Sequence, residues 1–114
     1  MIVRRIVEDY EAKLVPAHPP RGGEGARGKA EWERYGNDEE ELSVRIRNIE
    51  LPDGTLLDVF LSGGSVGHIT LRGGRGSLKI ESRKGEGVPR VSEGNTLIVS
   101  LESATVLEGI FVPD

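Results

Sequence analysis

The chain has 114 residues, 36% of them apolar and 30% charged, with a net charge of −4 and no cysteine. That length holds one domain. The missing cysteines exclude a disulfide framework and thiolate chemistry, and the acidic balance argues against nucleic acid as a partner. No apolar run reaches the length of a membrane-crossing helix, so no membrane insertion is expected.

The first stretch, "MIVRRIVEDYEAK", is broken by Arg4, Arg5, Glu8 and Asp9, unlike the apolar core of a signal peptide. The expected location is therefore extracellular or at the cell surface if a signal has been removed, and cytoplasmic otherwise. Residues 1–15 read as an N-terminal strand segment, open to exchange between copies. Ile2, Val3, Ile6 and Val7 supply β-branched residues for self-association by strand addition to a neighbour. Residues 16–29 form a Pro/Gly-rich loop. No glutamine, one methionine and many Glu and Arg fit a thermophilic or GC-rich source.

That loop contains "RGGEGARGKAEW", in which Gly23, Gly25 and Gly28 match one phosphate-binding pattern, and Gly23, Gly28 and Lys29 match most of another. Both patterns work only between a buried strand and the N-terminus of a helix. Here the preceding residues include Pro16, Pro19 and Pro20, and Ala30 stands where a magnesium-holding Ser or Thr is needed. The segment reads as a connection between two strands, and no nucleotide or other cofactor is expected.

Beyond it, turn signals recur at roughly 8–12 residues, the spacing of an all-β domain. They include Gly36-Asn37-Asp38, Pro52-Asp53-Gly54, Gly63-Gly64, Gly73-Gly74, Gly85-Glu86-Gly87 and Glu93-Gly94-Asn95. The runs between them alternate. Val44 and Ile46, Val59 and Leu61, Leu78 and Ile80, Leu97 and Val99, and Phe111 take inward positions. In "VLEGIFV", Leu107, Gly109 and Phe111 oppose Val106, Glu108, Ile110 and Val112. This pattern predicts a single antiparallel β-sandwich over 1–114, with Greek-key or meander connections, about seven to nine strands and little or no helix.

Few residues point to chemistry. His18 and His68 are the only histidines, and neither has the neighbours of a metal site. Asp38-Glu39-Glu40-Glu41 lacks the spaced oxygens of a calcium loop and reads as a solvated turn ahead of an edge strand. Arg45, Arg47, Arg72, Arg75 and Arg83 are candidates for an anion patch, or for wet strand faces paired with Glu. Trp32 and Tyr35 are a candidate aromatic platform for carbohydrate or peptide, or the seal of a small core. No catalytic set can be named.

The order within "YEAKLVPAHPPRGGEGARGKAEWERYGNDEEELSVRIRNIELPDG" is a strand, a Pro-rich loop, Gly-x-Ala and then "LSVRIRNI". Together with "VLEGIFV", it resembles the chordin-type CHRD domain, a small extracellular β module of secreted bacterial proteins. The "LPDGT…LDV…VG.ITL…GRG.L" pattern is similar to bacterial β-sandwich proteins of unknown function. The resemblance implies a β-sandwich in an adhesive or structural setting. The family's His-x-His segment is missing, since His68 stands alone in "DVFLSGGSVGHITL", so no metal role carries over. The resulting expectation is a non-enzymatic structural or self-associating module, forming a homo-oligomer or filament by edge-strand pairing. A carbohydrate- or peptide-binding module is the alternative, and a small enzyme or metal-binding domain ranks last.

Overall fold

Alternating residues become strands almost wherever the sequence repeats the pattern. A computed structural model describes residues 5–114. It contains β1 (Ile6–Pro16), β2 (Arg27–Tyr35), β3 (Glu40–Arg47), β4 (Leu56–Leu61), β5 (Gly64–Thr70), β6 (Gly76–Glu81), β7 (Thr96–Leu101), β8 (Ala104–Ile110) and β9 (Val112–Pro113). One 3-10 turn, Ser82–Lys84, follows β6, and no α-helix occurs among the described residues.

Every strand pairing is antiparallel. The order is β5-β4-β7-β8-β1-β2-β3-β6, with β9 also on β1. The expected two-sheet sandwich gives way to one continuous sheet that nearly closes like a barrel. The cause is β1, an 11-residue strand that serves both halves. Residues from Ile6 to Leu14 pair with β2, while Val15 and Pro16 pair with Glu108 and Leu107 of β8. Strands that pass from one sheet to another make such corners. The crossing is tight: a Cβ on Gly109 would overlap the Lys13 carbonyl oxygen and lie 2.9 Å from Leu14 Cδ2.

The two ends of the sheet meet again at the β5–β6 turn, where Arg72 bridges Arg75. Further along, β5 and β6 diverge. Leu78 lies over Gly67, where a Cβ would sit 2.9 Å from Leu78 Cδ2. This explains why Leu78 is half-buried rather than fully buried: it covers a seam instead of filling the core. The other inward positions named from the sequence, Val44, Ile46, Val59, Leu61, Ile80, Leu97, Val99 and Phe111, are all buried. Val106 is buried as well, against its outward assignment. Val99 pairs with Leu107 and Ser100 with Thr105, so Val106 is the extra residue of a bulge that resets the alternation.

Two further expectations change. Arg27, Gly28 and Lys29 belong to β2 rather than to the preceding loop. Glu40 and Glu41 open β3, which lies between β2 and β6 and is not an edge.

Leu97→Ala or Ile46→Ala should lower the unfolding free energy by about 2–5 kcal/mol, because each leaves a core cavity. Arg45→Ala should stay within about 0.5 kcal/mol. Gly109→Ala, a change of one methyl, should cost about 1–3 kcal/mol by overpacking the β1–β8 crossing. Urea denaturation followed by circular dichroism measures all three.

Candidate functional site

A strand pair in register puts directly opposed residues on the same face. On the outer face of β1, β2, β3 and β6 this stacks charges into rows. One row is Lys13–Lys29–Arg45–Ser77, flanked by the opposed pair Arg27 and Arg47. Two residues along, the next row is Glu11–Glu31–Ser43–Lys79. Two further on, it is Asp9–Glu33–Glu41–Glu81. Charge therefore changes sign along the strands, cationic at one end and acidic at the other. Like charges directly across from each other weaken a sheet, so this arrangement does not serve pairing itself.

The cationic end is concave. A groove of about 690 Å³ is lined by residues that include Lys13, Arg27, Lys29, Arg45, Arg47 and Arg75. A second, of about 640 Å³, is lined by Arg45, His68, Thr70, Arg72, Arg75 and Ser77 among others. The two share Arg45, Ile46 and Arg75. Together they take seven of the chain's 15 lysines and arginines, and among the described residues no carboxylate lines either one. Lys29 is held by Glu11 and Glu31 at 3.2 Å each. The Arg27 guanidinium donates to the carbonyls of Glu24 and Ala26. Lys13, Arg45, Arg47, Arg72 and Arg75 make no ion pair among the described residues. His68 Nδ1 lies 2.8 Å from Asp58 Oδ1, which leaves Nε2 as the ring's remaining polar atom.

The acidic end is under strain of its own. Burial, followed by repulsion from Asp114, Glu33 and Glu31, pushes the Asp9 carboxyl up to about 6. Its buried Oδ1 has no hydrogen-bond partner among the described residues. Glu81, at the end of β6, is the opposite case. It is only 2% exposed, and it is paired with Lys84 at 3.0 Å, Lys79 at 3.2 Å and Arg83 at 3.4 Å. Chiefly through Lys84, and against the cost of burial, its carboxyl is held down at about 2. Glu81 thus ties β6 to the 3-10 turn.

The residues singled out in the sequence scatter. Arg45, Arg47, Arg72 and Arg75 converge on the grooves, whereas Arg83 serves Glu81. Trp32 is fully buried, with its ring 5.9 Å from that of Tyr10, so it presents no face to a ligand. Tyr35 caps the outer end of β2, its hydroxyl 3.0 Å from Glu33 and 3.3 Å from Glu41. The two rings form no shared platform, because strand alternation sends position 32 inward and position 35 outward. Ile2 and Val3 lie outside the described residues. Ile6 and Val7 are exposed; Ile6 pairs with Tyr35 of its own chain, and the pairing on the other side of β1 involves Tyr10 and Glu11 with β9 and Val15 and Pro16 with β8. The Gly-rich segment leads into β2 rather than a helix, so no helix N-terminus faces it. No three His, Cys, Asp or Glu residues are grouped as metal ligands among the described residues. Sequence reading missed Lys13, Arg27 and Lys29, although they repeat the alternation of Arg45 and Arg47 on neighbouring strands.

No family model matches the chain, and no curated protein matches it.

The two carboxyls give opposite pH signatures. A raised native value penalises the charged form, so Asp9→Asn should raise Tm above pH 6, with the gain fading as pH falls from about 6 to 3.8. A lowered native value stabilises the charged form, so Glu81→Gln should lower Tm above pH 4.5. The two curves should converge as pH falls toward about 2. Thermal melts across pH check both.

Proposed function

We propose that this chain is a non-enzymatic binding module, and that its working surface is the cationic double groove, which takes anionic partners. The observation that carries the reading is seven Lys and Arg side chains around two contiguous grooves without one carboxylate, in a chain of net charge −4. Five of the seven are arginines, whose planar guanidinium binds oxyanions through two parallel hydrogen bonds. Six of the seven also have no internal ion pair among the described residues to give up on binding.

Binding is favoured over catalysis by the state of His68. Asp58 orients it, but among the described residues neither the Thr70 nor the Ser77 hydroxyl of the same groove is hydrogen-bonded to it. A hydrolase with a serine or threonine nucleophile activates it through such a contact with a base. The structural or self-associating role, with the extracellular setting implied by the CHRD resemblance, belongs to the same proposal. No helix among the described residues is long and apolar enough to cross a membrane.

Titration calorimetry with tripolyphosphate at low salt should show binding that weakens as salt rises. Arg45→Ala, at the junction of both grooves, should weaken it about tenfold or more, the scale of one lost charge-assisted hydrogen bond. Arg90→Ala, outside both grooves, should leave it unchanged. Equal effects from the two substitutions would reject the groove as the site.

A further inference from the structure

We infer that the anionic partner of the cationic face is the acidic end of a second copy of this chain, bound face to face in a two-fold pair. The inference rests on the reading of that face as an anion-binding surface. It adds the identity of the partner and the geometry of the contact.

The rows supply the geometry. The cationic row through Lys13 and Lys29 and the acidic row through Asp9 and Glu33 lie four residues apart on the same strands. At the rise of an antiparallel strand, that is roughly 13 Å. Midway runs the row Glu11–Glu31–Ser43–Lys79. A two-fold axis along this middle row turns one sheet over onto another and exchanges the outer rows. Lys13 then meets Asp9 of the partner subunit, and Lys29 meets Glu33 of the partner subunit. Each contact occurs twice, as in any isologous interface. An axis along the strands would instead set like charge on like charge.

Residues on the axis meet their own equivalents, so they must tolerate it. Lys79 is already ion-paired with Glu81, and Glu11 with Lys29. Ser43 is neutral. On the far side of β1 the row continues into β9, where Val112 is in register with Glu11 and therefore shares its face. Val112 is 48% exposed. Packing against Val112 of the partner subunit would cover it and give the axis an apolar contact. The acidic end gains as well. Asp9, Glu31, Glu33 and Asp114 repel one another within one chain, and a lysine arriving from outside relieves that repulsion. Both copies carry −4 overall, so the attraction is local, acting within the Debye length of about 10 Å at 0.1 M salt.

Analytical ultracentrifugation of the full chain at low salt should give twice the 12.4 kDa chain mass, reverting to 12.4 kDa at high salt. Lys13→Glu and Asp9→Lys should each weaken the pair at least tenfold, and the double variant should restore it. Val112→Glu, which sets two like charges on the axis, should give a monomer that keeps its β spectrum and its tripolyphosphate affinity. A pair indifferent to these changes overturns the inference. So does a wild-type monomer that binds tripolyphosphate, which leaves the anion-binding reading standing. A monomer that binds no tripolyphosphate overturns both.

Discussion

The passage of β8 beside β1 at Gly109 is the contact on which the rest of the architecture depends. There the backbone of one strand comes so close to the Lys13 carbonyl that no side chain fits between them. Because it fits, β1 leaves β2 and β9 and continues onto β8. Without that transfer the β5–β4–β7–β8 ladder and the β1–β2–β3–β6 ladder would be separate layers. With it they enclose one core, in which Trp32 and Phe111 are the largest fully buried side chains. A glycine in a strand usually marks weak packing or close approach. Here it is close approach, and it decides the topology.

The same continuity governs the surface. A curved sheet held in strict register cannot choose the neighbours of each outward residue one by one, because shifting one strand would turn its core residues outward. The charges of β1, β2 and β3 are therefore presented as rows. Their separation by sign follows from where Lys, Arg, Asp and Glu fall within strands whose register the core has already set. Lys29 partly reconciles the rows by reaching Glu11 and Glu31, while Lys13 and Arg45 make no ion pair among the described residues.

Much of this was legible in the sequence, and the misses share a cause. Period-two alternation identified strands and most inward residues because it is a local property. Closure was not local. It depended on β1 serving two ladders, and "YEAKLVP" looks like any other strand. Alternation puts Leu78 in the core although it lies at a seam, and puts Val106 outward because a bulge leaves no mark in the alternation. The size of its ring suggests Trp32 as a platform, yet Ala30 and Trp32 alternate inward as plainly as Val44 and Ile46 do. The cationic face was half legible. "RIR" announced Arg45 and Arg47, but "AKL" and "RGK" join them only when strand order is known.

The pairing of β1 with β8 and β9 also bears on how the chain is made. Synthesis runs from the N-terminus, so Tyr10 and Glu11 emerge long before Val112 and Pro113, their β9 neighbours. The β1–β2–β3 meander can form while the ribosome is still adding residues, but the second side of β1 stays bare until the last strands arrive. For that interval β1 is an open edge with Val15 exposed. Charged side chains on its outer face, Asp9, Glu11 and Lys13, then act as gatekeepers that discourage pairing with other nascent chains.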